Sequence, residues 1–289
     1  MEIDLREDFK AMILQDVKTD DFLNVSSGTP EEQIILKYFE FQRKLSFAGP
    51  HKVKESQEFE CPEECKGGLE KLMGIFREGG DIRPYLNRTS ANLNEYDDMF
   101  ADWGILHFHL GSYIPEGDTF VERGKYVLFA YLHDETVYII DIYDHDHWAD
   151  TDVLQVIYNN WPEIIEPYIM PGVESPNVLI GYKERIKLRK VGIVTMIALK
   201  NSAGENFTII PPTLGQTAAR TSIVDTNNYQ IEMNRLFKIE KQIIKHKEEF
   251  VKKYKLVDDN LSIRLKRITL DKIELIEEIS EKMFSIDLY

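Results

Sequence analysis

Lys125-Tyr-Val-Leu-Phe-Ala-Tyr-Leu-His-Asp-Glu-Thr-Val-Tyr-Ile-Ile-Asp-Ile-Tyr143 is the stretch whose reading decides the fold. Two runs rich in aromatic and branched residues, Tyr126 to Leu132 and Thr136 to Tyr143, are separated only by His133-Asp-Glu135, which predicts a short-loop β-hairpin. A turn centred on Asp134 sets Tyr126 opposite Tyr143 and Lys125 opposite Asp144. Upstream, Gly104 to Leu110 alternates like a strand, with Leu106, Phe108 and Leu110 on one face and Ile105, His107 and His109 on the other. Antiparallel pairing of this strand with the first hairpin strand, through the long connection 111–124, brings His109 near Tyr126. Downstream stands His145-Asp-His147-Trp148, so four of the seven histidines lie in two His-x-His pairs that one sheet can gather. A slip of one residue in register would send either pair to the opposite face.

The flanking segments read as helical. Thr29-Pro-Glu-Glu is a helix start, with Thr29 as N-cap, Pro30 at the first position and acids in the first turn. Ala48 to Pro62 reads as a polar connection, and Glu63 to Glu78 as a helix with Leu69, Leu72, Met73 and Phe76 at helical spacing, stopped by Gly79-Gly80. The loop Asp81 to Arg88 carries Arg83 and Arg88 ahead of the central strand. Beyond the hairpin, Asp150-Thr-Asp152 caps a helix that ends near Trp161-Pro162, and Lys190 to Leu199 pairs with Asn206 to Ile210 in a second hairpin. Tyr229 to Lys255 reads as a long helix carrying eight Lys/Arg against four Glu, and Thr269 to Phe284 as a last helix. The expected fold class is therefore α+β: a central antiparallel sheet within 101–215, an N-terminal helical region over 1–100 and a C-terminal one over 216–289, joined in one elaborated domain.

Composition bounds the function. A chain of 289 residues with 43% hydrophobic content can bury a large core. No apolar run approaches the ~20 residues that span a bilayer, and the first residues lack the basic start and apolar stretch of a signal peptide, which points to a cytoplasmic protein with no membrane partner. Cys61 and Cys65 stand alone and read as reduced thiols. A net charge of −15 repels polyanions at long range, and from Ala101 to Met170 thirteen acids face only Arg123 and Lys125.

The order of helices, strand, long basic-ended connection, hairpin, and then an aromatic residue and a histidine at the last strand's end resembles the RelE/YoeB family of small ribonuclease toxins. The resemblance covers His107 to Trp148, with Tyr126-Val-Leu-Phe-Ala-Tyr131 similar to that family's middle strand and Ile139-Ile-Asp-Ile-Tyr-Asp-His145 to its last. It implies a RelE-like core and an endoribonuclease of the toxin-antitoxin or phage-defence kind. In its roles, Arg123 or Lys125 would contact the scissile phosphate, His145 or His147 would transfer the proton, and Tyr143 or Trp148 would stack on a base. The family's arginine falls on or near Tyr126, and its members are typically small and basic, unlike this chain.

The residues themselves leave three functions open. Metal-independent RNA cleavage needs a base, an acid and a cation on the phosphate, for which His107, His109, His145 and His147 with Lys125, Arg123 and Tyr126 suffice and no cofactor is required. RNA, and an antitoxin or other protein partner, would then be the partners. The same four histidines, flanked by Asp102, Asp144 and Asp146, also suit a divalent metal such as zinc or manganese in a metal-dependent enzyme. The third reading is a non-catalytic protein interaction module whose histidines line a polar sheet face. His51, His133 and His246 read as ordinary surface or hydrogen-bonded histidines, and Trp161 as a core anchor.

Overall fold

A computed structural model describes all residues except 96, 146–149, 174–179, 182–183, 186, 189–190, 192, 194, 213–216, 218–220, 257–260, 270 and 288–289, and the backbone alone of residue 150. The first part of the chain contains β1 (Glu2–Ile3), α1 (Leu5–Thr19), α2 (Glu31–Leu45), β2 (Lys52–Glu55), α3 (Lys66–Glu78) and α4 (Asp98–Trp103). The central part contains β3 (Ile105–His109), β4 (Tyr126–His133), β5 (Thr136–Asp144), α5 (Asp150–Asn160), α6 (Pro162–Ile165), β6 (Ile197–Lys200) and β7 (Asn206–Ile209). Then follow α7 (Ile223–Lys245), α8 (Lys247–Tyr254), β8 (Ser262–Ile268), β9 (Lys272–Glu277) and β10 (Lys282–Asp287). The class is α+β. Among the described residues no helix is long and apolar enough to cross a membrane. The chain divides into two compact units, residues 22–226 and residues 1–21 with 227–289.

In the larger unit the sheet order is β2-β5-β4-β3. The hairpin forms as the sequence requires: Asp134 and Glu135, both at positive φ, make the two-residue turn between His133 and Thr136 whose twist matches the strands. Strand β2 lies in a stretch expected to be a polar connection. It joins β5 in parallel, so the sheet is mixed rather than wholly antiparallel. Its pattern of exposed Lys52, Lys54 and Glu55 is that of a short charged edge strand, which a search for hydrophobic alternation passes over.

A bulge decides the register. From the turn, His133 pairs Thr136 and Tyr131 pairs Tyr138, a register that would set Tyr126 opposite Tyr143. Between Phe129 and Ala130 the pairing shifts by one residue, because Phe129 opposes Asp141 while Ala130 opposes Ile139. The expected pairs are therefore corrected to Tyr126 with Asp144 and Val127 with Tyr143, and His109 opposes Val127 rather than Tyr126. The extra residue, Ile140, has its carbonyl held by the Ser56 hydroxyl at 2.6 Å. A bulge of this kind re-aims the side chains beyond it. Without it Tyr143 and His145 would share the face of Tyr126 and Leu128; with it they share the face of Val127, Phe129 and the two histidines of β3.

Both faces of the sheet are covered. Phe108, on the face opposite the histidines, packs against Phe47 at 5.6 Å and Phe76 of α3 at 5.3 Å between ring centroids. On the histidine face Ile105, Val127, Phe129 and Ile140 form one buried cluster with Val153, Leu154 and Ile157 of α5, Trp161 and Ile197. Gly68 fixes the approach of α3, since a methyl group there would stand 1.9 Å from the Leu110 carbonyl oxygen. Gly68→Ala is expected to lower stability by about 1–3 kcal/mol despite its better helix propensity, because backbone must move; a urea unfolding midpoint at or above the wild-type value would contradict this packing. Thr29 does not cap α2 as expected. Its hydroxyl donates to the Ser26 carbonyl at 2.8 Å, and Pro30 occupies the cap position with no side-chain bond.

The smaller unit corrects the C-terminal expectation. The last helix proposed over Thr269 to Phe284 is instead β9 and β10, antiparallel to each other, in a sheet ordered β1-β8-β9-β10. Ile273, Leu275 and Glu277 alternate inward, and buried Glu277 accepts bonds from Ser280 N and Oγ and from Ile279 N that close the turn. Those donors hold its carboxyl below the usual range against the opposing effect of burial, the largest single influence. The long helix expected over Tyr229 to Lys255 is two helices, α7 and α8, meeting at His246.

Candidate active site

Strand β3 presents His107 and His109, and the end of β5 presents His145, whose backbone N–H donates to the Lys125 carbonyl at 3.0 Å. Because the bulge has turned β5, the three imidazoles converge. Ring centroids lie 5.1 Å apart for His109 and His145, 6.2 Å for His107 and His109, and 6.5 Å for His107 and His145. His107 and His109 thus meet His145 on one sheet face. His147 and Trp148 lie outside the described residues.

The three differ in setting. His109 is buried, and among the described residues neither ring nitrogen has a hydrogen-bond partner. Burial, with His107 and Arg123 as further positive neighbours, pushes its pKa down to about 3. His107 is partly exposed and bonds through Nε2 to Asn87 Nδ2 at 3.3 Å. The Asn87 Oδ1 accepts from Arg123 Nη2 at 3.2 Å, so Asn87 donates to His107 and the imidazole proton sits on Nδ1. Burial lowers the His107 pKa too, with Asp97 pulling the other way. Both β3 histidines are therefore neutral at neutral pH.

The cations sort themselves by partner. Lys125 is exposed and ion-paired to Asp144 at 2.8 Å, which raises its pKa, and its ammonium lies 5.1 Å from the Tyr126 ring centroid. Arg88 is ion-paired to Asp118. Arg83, carried toward the site in the sequence reading, turns instead to Asp81 through two bonds of 2.9 Å. Arg123 is exposed and reaches Asn87. Desolvation, and after it the neighbouring charge of Arg88, lowers its pKa, with Asp118 acting the other way. Tyr143 lies edge-on to Phe129 at 5.6 Å and packs on the core, so it supports the sheet rather than offering a stacking surface. Asn87 is the site residue the sequence reading missed. It sits beside Arg88 in a loop already singled out, but no pattern marks it.

The neutral state of His109 has a measurable cost. An unfolded histidine takes its proton near pH 6.5, whereas folded His109 takes it only near pH 3, so the unfolded chain binds more protons between those values and stability falls as pH falls through that window. Replacing His109 with leucine removes this contribution. Relative to His109→Leu, the wild type is expected to lose about 2 kcal/mol between pH 7.5 and pH 5.0, read from urea unfolding of both proteins. Parallel pH profiles would show that His109 is protonated in the fold.

His51, His133 and His246 have the ordinary roles expected of them: His51 meets the Ser46 carbonyl at 2.7 Å, and His133 and His246 lie exposed beside Asp134 and Glu249. Cys61 and Cys65 are free thiols. Among the described residues, no group of three or more His, Cys, Asp or Glu is arranged to hold a metal ion. Comparison of the chain with protein-family models, with curated proteins and with solved structures gives no match.

Proposed function

We propose that this chain is a metal-independent endoribonuclease working through His107 and His145, of the toxin or phage-defence kind that its resemblance to the RelE/YoeB family implies. The observation that carries the reading is the convergence of three imidazoles beside Arg123, with His107 and His145 both accessible and 6.5 Å apart between ring centroids. That spacing admits a phosphodiester between them. His107, neutral, takes the proton of the ribose 2′-hydroxyl at Nε2, where the substrate hydroxyl displaces the Asn87 amide that holds the ring in the free protein. The 2′-oxygen attacks phosphorus, the bond from phosphorus to the 5′-oxygen breaks, and His145 gives its proton to that oxygen. Arg123 stands against the phosphate charge that builds up in between. Buried His109 backs both rings as a positioning residue.

The acidic surface accords with this reading only for a substrate held by few contacts. Asp144 and Asp118 already neutralise Lys125 and Arg88, so affinity for RNA should be modest and its salt dependence shallow. Binding to a larger RNA-containing assembly would compensate. A second reading is favoured by His109 alone, since a buried neutral imidazole with no hydrogen-bond partner among the described residues is also in the protonation state a divalent metal requires.

Cleavage of a labelled RNA in the presence of EDTA decides between them. The expected products carry a 2′,3′-cyclic phosphate and a 5′-hydroxyl and form at the same rate with and without chelator. Cleavage abolished by EDTA and restored by zinc or manganese would replace the first reading with the second. A protein that cleaves no RNA under either condition would leave an interaction module.

A further inference from the structure

The smaller unit carries a groove that the histidine site does not use. Strand β10 is the last of its sheet, and among the described residues its outer side makes no backbone hydrogen bond. It pairs with β9 over all six residues without a bulge and contains no proline, so beyond Lys282 it lacks the usual devices that blunt a sheet edge. Helices α7 and α8 run beside it. The Tyr254 hydroxyl donates to the Ser285 carbonyl at 3.2 Å and the Lys282 ammonium to the Lys255 carbonyl at 3.2 Å, which ties the end of α8 to the strand. Two open hollows lie along this seam and share Ile286. One, of about 520 Å³, is lined by Ile231, Arg235, Lys238 and Asp287 among others, and one, of about 250 Å³, by Ile243, His246, Phe250 and Tyr254 among others.

The walls combine apolar side chains with positive charge. Ile231 is 61% exposed in the groove and Met283 58% exposed on the edge strand, and apolar side chains left bare together mark an interaction surface. Between Arg235 and Lys255 eight Lys/Arg stand against three Glu, in a chain of net charge −15. Lys238, Lys245 and Lys252 are exposed and seven residues apart, so they form one stripe along the helices, and among the described residues no ion pair engages them. A nucleic acid would meet the lysines and leave the apolar floor and the strand edge bare. A second copy joined edge to edge about a two-fold axis would set its own lysine stripe across the seam from this one. An extended acidic chain with apolar side chains at alternate positions answers every feature at once. Its backbone completes the edge, its apolar side chains fill the hollows, and its carboxylates meet the lysines.

We infer that this groove binds an extended acidic peptide segment of a partner protein, which adds a strand to the free edge of β10. The inference goes beyond the nuclease reading and stands whether or not the histidines cleave RNA.

The test is selection of a random peptide library on the full chain, followed by equilibrium binding of the enriched peptides made synthetically. Enriched peptides are expected to alternate apolar residues with Asp and Glu. Ile231→Asp and Lys238→Glu change exposed side chains and leave the fold intact. Each should weaken the peptide by about tenfold or more, whereas His145→Ala should stay within about twofold of wild type. N-methylation of alternate peptide amides should abolish binding in one phase of the alternation and spare it in the other, because the added strand turns only every second amide toward β10. No enrichment, enrichment of peptides without acids, affinity untouched by either variant, or N-methylation without effect in both phases overturns the proposal. Single-stranded RNA binding that Lys238→Glu abolishes and Ile231→Asp does not would make the stripe a nucleic-acid surface instead, and a dimer in sedimentation that Ile231→Asp dissociates would give the groove to a second copy.

Discussion

His145→Ala is expected to slow RNA cleavage by about 10²–10⁴-fold, the usual contribution of a positioned acid or base, while changing unfolding free energy by no more than about 0.5 kcal/mol. The two parts of the expectation come from different properties of one residue. His145 is only partly buried and follows the last hydrogen-bonded pair of β5, so few packing contacts are lost with its ring. Yet it is the accessible imidazole that faces His107 across 6.5 Å with His109 behind it at 5.1 Å. His107→Ala should cost a similar factor. Asn87→Ala, which frees the His107 ring to rotate and releases Arg123, should cost less and act on kcat more than on KM. Cleavage by His145→Ala at the wild-type rate would end the acid/base reading. A large loss of stability in the same variant would instead make His145 a structural residue.

This test depends on a single inserted residue. The short-loop hairpin and the meeting of His107 and His109 with His145 at one sheet end follow from alternation and spacing alone, although His133, read as part of the loop, is the last paired residue of β4. The face on which they meet does not. Counting outward from Asp134 gives the register that holds near the turn, but Ile140 adds one residue before the strand ends, and nothing in Ile139-Ile-Asp-Ile142 marks a bulge. The carbonyl that the bulge leaves is satisfied by Ser56, far away in the chain, so its stability is a tertiary property that local propensity does not record. The C-terminal strands are hidden in the sequence for a different reason. Lys272 to Glu277 is rich in Lys, Glu and Leu, which favour helices, and its period-two burial is blurred by Ile276 on the outer face.

Glu40→Ala is expected to be the most damaging single substitution in the larger unit away from the histidines, at about 3–5 kcal/mol. Lys37, Glu40 and Lys44 project from one side of α2 and all three are buried. Glu40 lies 3.1 Å from the Lys37 ammonium and 3.6 Å from that of Lys44; Lys44 also lies 3.8 Å from Asp97, and Lys37 donates to the Glu95 carbonyl at 3.4 Å. Removing the shared carboxylate takes from two buried ammonium groups the carboxylate they hold in common, and Asp97 lies near only one of them in the described pairs. The cost of that uncompensated charge, rather than the worth of the pairs, sets the size of the effect. It follows that Lys37→Met combined with Glu40→Leu should be less destabilising than Glu40→Ala alone, and a urea-unfolding cycle over these variants measures the difference. Glu40→Ala losing less than about 1 kcal/mol would mean that water reaches the cluster. The consequence extends to catalysis because Asp97 also caps α4, accepting from Phe100 N at 3.1 Å, and α4 leads directly through Gly104 into β3. The charge cluster thus ties α2 to the segment that aims His107, so at conditions where Glu40→Ala remains folded its cleavage rate should fall further than its folded fraction.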